Sequence, residues 1–280
     1  MKAILERDFF AFAMTKRFFW LRSLVVLVPI VFISIVAAFL EALTGQDEIG
    51  QIVFWTISLT LTGMILLFTP GMMAHVLAVE RSNNKLDVLR STPLSITGIV
   101  FGKWSSRASL LLMMWVAGMP LAATSLLFGG VAIHQFVALA AVSVTTIILA
   151  STLGLFASAV SRDVGRATML AYTLLVLWAV GTSAIGGVSM AFMPTPANNT
   201  SWTFAEPSAA YVFLVHLYCA LSPGGALLTI GMGGGFGVAA RGFVGPAPAL
   251  LMSPPTLYVV GSLAASAFFF WASVRSMARE

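Results

Sequence analysis

Charged residues gather in short clusters along this chain, and between them apolar residues run on without the period-two alternation of a half-buried strand or the one-sided stripe of a soluble helix. Uncharged runs cover residues 23–40, 49–79, 108–161, 167–193 and 256–274. The first, between Arg22 and Glu41, is long enough at 1.5 Å per residue to cover about 27 Å of hydrocarbon, which suffices for one crossing. The run 108–161 exceeds a single crossing and is interrupted at Phe128-Gly129-Gly130, so it predicts two helices. Together the runs predict an all-α, polytopic membrane protein with six transmembrane helices in one transmembrane domain, residues 1–280.

The connecting segments predict three further elements. Residues 1–22 mix Lys2, Arg7, Lys16, Arg17 and Arg22 with Leu5, Phe9, Phe10, Phe12, Phe18, Phe19 and Trp20, the make-up of an interfacial N-terminal helix. No A-x-A site follows the first apolar core, so that core reads as a mature helix and not a cleaved signal peptide. In 81–96, Asn83 or Asn84 can cap a helix, Leu86, Leu89 and Arg90 fall at i, i+3 and i+4, and Pro93 stops it. Such a short amphipathic helix either lies at the headgroups, with Lys85 and Arg90 near anionic lipid, or docks into a partner's groove. Residues 194–254 are rich in Gly and Pro and hold two apolar pieces, 208–222 and 225–240, each short for a crossing. They predict a re-entrant or interfacial helical hairpin.

Composition supports the membrane reading and excludes a soluble domain: 59% of residues are hydrophobic and only 9% charged, against roughly 25% charged in soluble proteins. The net charge of +5 would suggest nucleic acid in a soluble domain, but its placement points to a lipid bilayer and to no nucleic acid. With the N-terminus inside, 14 of the 15 Lys and Arg residues fall on the inner side and only Arg241 falls outside. The loop 41–48 carries Glu41, Asp47 and Glu48 with no basic residue. The positive-inside rule then predicts a cytoplasmic (inner) membrane location with both termini cytoplasmic and residues 194–254 on the outer side. A single cysteine, Cys219, excludes an internal disulfide and a cysteine-clustered zinc site.

Chemistry-bearing motifs are sparse. No G-x-x-x-x-G-K-[ST] phosphate loop and no G-x-S-x-G elbow occurs, and His75, His134 and His216 lie on separate segments, so no catalytic residue, metal site or directly bound cofactor is expected. The match of Gly235 to Ala240 to G-x-G-x-x-A follows no strand and reads as chance. His216 and Cys219, three apart, read as packing residues. The cores of the six spans hold no charge, which argues against an ion-coupled carrier. Ala150, Gly154 and Ser158 recur at four-residue spacing and permit close helix approach, chiefly within one subunit. The 14 methionines read as soft core filler, and Asn198-Asn199-Thr200 as a polar turn.

The segment Glu80 to Lys103, ERSNNKLDVLRSTPLSITGIVFGK, resembles the corresponding loop of type-two (ABC-2) ATP-binding-cassette exporter permeases. That loop reads acidic-Arg-acidic, Gly-Thr-Leu-(Asp/Glu)-x-Leu, Thr-Pro-Leu, then Ile-x-x-Gly-Lys. Glu80, Arg81, Leu86, Asp87, Leu89, Thr92, Pro93, Leu94, Ile99, Gly102 and Lys103 fit, whereas Ser82 replaces the second acid and Asn84-Lys85 replaces Gly-Thr. Leu221-Ser222-Pro223 also resembles a tripeptide common in that family. The resemblance implies that 81–96 is a cytoplasmic coupling helix seated on a separate ATPase subunit, through Glu80, Arg81, Leu86, Asp87, Leu89, Arg90, Thr92, Pro93 and Leu94. It further implies two ATPase copies that carry ATP and Mg, and a second permease copy or paralogue. Gly102, Lys103 and Arg107 would start the third span and anchor it at the inner headgroups. The competing expectations are an ion-coupled carrier or channel, and a membrane anchor or assembly scaffold without transport.

Overall fold

A computed structural model describes residues 14–40, 49–82, 95–127, 131–190, 196–198, 201–204, 209–231 and 254–278. Six helices in it are long and apolar enough to cross a membrane. They are α1 (Lys16–Leu40), α2 (Ile49–Ser82), α3 (Ile96–Leu127), α4 (Ile133–Val160), α5 (Val164–Met190) and α8 (Pro254–Ala278). Two short helices, α6 (Ala209–Leu221) and α7 (Pro223–Gly231), lie between α5 and α8. The chain is thus an all-helical, multi-pass membrane protein by the length and hydropathy of its helices.

Two boundaries differ from the sequence reading. Helix α1 begins at Lys16 and continues unbroken to Leu40, so the basic and aromatic residues 16–22 prolong the first span; residues 1–13 lie outside the described part. Helix α3 begins at Ile96, well before the uncharged run, because Ser95 Oγ accepts the Gly98 N–H at 3.2 Å and caps it. Lys103 and Arg107 therefore sit inside α3 and not at its start.

Between α5 and α6 a two-stranded antiparallel ribbon forms, β1 (Pro196–Asn198) with β2 (Ser201–Phe204), an element the sequence reading does not contain. Asn198 pairs with Ser201 across a two-residue connection, the length of a tight hairpin. Helices α6 and α7 meet at Ser222, whose hydroxyl accepts the Gly225 N–H at 3.1 Å, with Pro223 in the first helical position. A Cβ on Gly225 would stand 2.9 Å from the Cys219 Cα, so the corner closes only around glycine. This gives Leu221-Ser222-Pro223 a local structural reason. Residues 232–253 lie outside the described part.

Helix α4 is central. Of its span 61% is buried, against 11% for α1, and it packs on α2, α3, α5, α7 and α8. The outer helices turn apolar side chains away from the bundle, among them Trp20, Leu177, Val260 and Phe268, as a lipid-facing surface requires. The contacts order the helices by direction. Met73 of α2 meets Gly154 of α4, Trp104 of α3 bonds Ser151 of α4, and Phe156 of α4 packs on Phe269 of α8. One end of the bundle, the foot, gathers the end of α2, the start of α3, the end of α4 and the start of α5. The opposite end, the head, carries α6 and α7.

The α2–α4 contact leaves no room for a side chain: a Cβ on Gly154 would stand 2.5 Å from the Met73 Cβ. The substitution Gly154→Leu is expected to force the two helices apart and to cost about 1–3 kcal/mol. Gly181→Ala, where a Cβ meets nothing within 4 Å, should leave stability unchanged or slightly raised. Thermal unfolding of the purified variants in detergent checks both.

Candidate functional site at the foot of α2 and α3

The motif-bearing loop leaves α2 after Ser82 and rejoins the described chain at Ser95. Leu86, Asp87, Leu89, Arg90, Thr92, Pro93 and Leu94 lie in 83–94, outside the described residues. Arg81 belongs to the last turn of α2. What the structure does define is the frame that holds both ends of the loop.

That frame closes on an ion pair. Lys103 Nζ donates to Glu80 Oε1, joining the last turn of α2 to the second turn of α3. Both side chains are largely withdrawn from solvent, at 10% and 21% exposure. Lys103 is thus engaged inside the bundle and does not reach out as a headgroup anchor, because the carboxylate of Glu80 stands within its reach. Glu80 Oε2 is buried and has no hydrogen-bond partner among the described residues. Gly102 is buried beside the pair, and Arg107 lies one turn deeper along α3, half-buried.

The end of α2 is held on its other sides by α4 and α5. Ser158 Oγ of α4 donates to the Ala74 carbonyl at 2.8 Å and accepts the N–H groups of Leu77 and Ala78 at 2.9 and 3.0 Å. Ala74 and Ala78 pack against Ala167 of α5, all three fully buried. Above them Pro70 removes one N–H from the ladder of α2 and leaves the Leu66 carbonyl without its usual donor. At the same turn Tyr172 of α5 donates its hydroxyl to the Leu67 carbonyl at 3.0 Å, approaching over Gly71.

The start of α3 is fixed as firmly. Trp104 Nε1 donates to Ser151 Oγ of α4 at 3.0 Å, and Phe101, Trp104 and Phe270 of α8 form a three-ring cluster with centroids 5.7–6.1 Å apart. A few side chains thus lock both roots of the loop to one central helix. Of these, the sequence singles out Lys103, Glu80 and the Ala150, Gly154, Ser158 spacing. It offers no signal for Tyr172 or for the Trp104–Ser151 bond, since a lone hydroxyl or indole in an apolar run does not name its partner.

Elsewhere the site residues considered from sequence stay apart. Among the described residues no three His, Cys, Asp or Glu side chains come together as a metal-ligand set. Cys219 of α6 is buried beneath the corner with α7, away from the foot. No protein-family model matches the chain, and comparison with curated proteins finds no match.

Removal of one partner of the Glu80–Lys103 pair leaves the other charge buried and unpaired, whereas removal of both leaves none. Glu80→Gln and Lys103→Met should each destabilise the protein, and the double variant should be more stable than the sum of the single losses predicts. A double-mutant cycle by thermal unfolding is expected to return a coupling energy of about 1–3 kcal/mol; additive losses would mean the pair contributes nothing.

Proposed function

We propose that this chain is the permease subunit of a type-two ATP-binding-cassette exporter, forming the translocation path and taking its energy from a separate ATPase subunit. The observation that carries the reading is the Glu80–Lys103 pair: the first and last residues of the resembling segment meet at one end of two long helices. A loop that transmits force needs stiff, mutually fixed roots. Those of 83–94 are fixed to each other by this pair, and the root in α3 is fixed to α4 by the Trp104–Ser151 bond.

In this reading the foot is cytoplasmic, in agreement with the excess of Lys and Arg there. Residues 81–96 form the coupling helix, with Glu80, Arg81, Leu86, Asp87, Leu89, Arg90, Thr92, Pro93 and Leu94 at or beside the ATPase contact. Two ATPase copies bind ATP and Mg, and a second permease copy or paralogue completes the path. When nucleotide closes the ATPase pair, each loop moves with its ATPase, and α2 and α3 carry the displacement into the bundle. This chain performs no hydrolysis; its residues bind, brace and transmit.

The test is purification of the full chain from its native membrane. A stoichiometric ATPase should accompany it and be lost from the variant carrying Leu86→Asp and Leu89→Asp, with the thermal midpoint of the permease unchanged. Retention of the ATPase after these changes, or accessibility of positions 83–92 from the outer side of the membrane, would overturn the proposal.

A further inference from the structure

In this bundle buried hydroxyls generally turn back on their own helix. Ser58 donates to Phe54, Thr69 to Ile65, Thr146 to Val142 and Ser266 to Ser262, each to the carbonyl four residues earlier. Ser158 departs from that habit. Its hydroxyl spends its donor and its acceptor capacity on another helix, taking the Ala74 carbonyl and the Leu77 and Ala78 N–H groups of α2. In an uninterrupted helix the Ala78 N–H and the Ala74 carbonyl bond to each other, and the Leu77 N–H bonds to the Met73 carbonyl. Ser158 is therefore wedged against the ladder of α2, on three groups that this ladder would itself pair.

We infer that the Ser158 wedge is detachable, and that the stretch of α2 below Pro70 alternates between a docked and a released position against α4 and α5. Withdrawal of the hydroxyl strands no polar group. The Ala78 N–H closes onto the Ala74 carbonyl, the Leu77 N–H onto the Met73 carbonyl, and the Ser158 hydroxyl onto a carbonyl one turn back on α4, as its neighbours do. Each group that Ser158 releases has a partner within its own helix, so that release is tolerated even where water cannot compensate.

The surroundings favour such a motion. Against α5 the docked face is lined by Ala74, Ala78 and Ala167, which bury little apolar area and lose no rotamer freedom, whereas Met73, Val76 and Leu77 of the same stretch stay with the main core. At the top of the segment Pro70-Gly71 has already broken the ladder, the usual place for a helix to bend. Met73, against Gly154, sits just below that bend and acts as the pivot. The wedge is a property of α2 and α4 alone; only its use in transport rests on the coupling role proposed above.

The test places a thiol at the docked face with Ala78→Cys and a control thiol above the hinge with Ala150→Cys; both positions are fully buried. Cys219 provides a silent background, being buried with its thiol pushed up to about 12 by desolvation. The full chain in lipid nanodiscs, with no ATPase present, is exposed to a charged methanethiosulfonate reagent, and the labelling rate is read by mass spectrometry.

Added to these backgrounds, Ser158→Ala should raise labelling at position 78 by about tenfold and leave position 150 unlabelled. Ser158→Thr, which keeps the hydroxyl, should hold the slow rate. No rise at 78, or an equal rise at both positions, overturns the wedge. Should Ser158→Ala fail to fold, Ala78→Cys alone decides. Its labelling must begin below the temperature of global unfolding, and onset only with unfolding overturns the proposal. A negative result here leaves the coupling role standing, and loss of that role through retained ATPase leaves the wedge standing.

Discussion

Hydrocarbon offers a buried amide or hydroxyl nothing to bond, and this constraint governs the bundle from end to end. Most serines and threonines meet it locally, on the carbonyl of the preceding turn. Groups that do only this leave packing to apolar contact. Those that also, or instead, reach a neighbouring helix fix the architecture: Ser158 on α2, Trp104 on Ser151, Thr146 with Tyr258 of α8 at 2.7 Å, and Tyr172 on the Leu67 carbonyl. All but the last join another helix to α4. Interhelical hydrogen bonds thus pick out the same helix that burial does.

Proline placement divides the bundle in a complementary way. Pro29, Pro70 and Pro120 lie inside α1, α2 and α3, each removing a ladder bond, whereas α4 and α5 contain none. The first three spans can therefore bend where the core of the fourth cannot. The Glu80–Lys103 pair ties two of the bendable spans together at the foot, so that they respond as one body and not as two independent rods.

Charge spacing was enough to read the number of spans and, to within a turn or two, most of their limits. Runs without charge are a direct record of the cost of burying ions in lipid, and that cost is large enough to override propensity. It misleads where a charge is neutralised inside the protein: Arg107 marks the run's edge, yet α3 begins at Ile96 and holds Lys103 within it, the charge offset by Glu80. The small-residue spacing at Gly154 and Ser158 announced a close contact without naming the opposing helix, since any backbone could fill the groove. The ribbon at 196–204 left no clear trace, its two strands being too short for alternation to register.

The head of α4 is fastened as specifically as its foot. Gln135 accepts the Ala132 N–H through Oε1 and donates through Nε2 to the Ile230 carbonyl at 2.8 Å, at the last turn of α7. One proline-free helix of about 42 Å, by the rise of an α-helix over 28 residues, therefore grips α7 at one tip and α2 at the other. A push applied at Ser158 has no compliant joint in which to dissipate. Either the short helices at the far tip travel with it, or one of the two grips, Ser158 or the amide of Gln135, lets go.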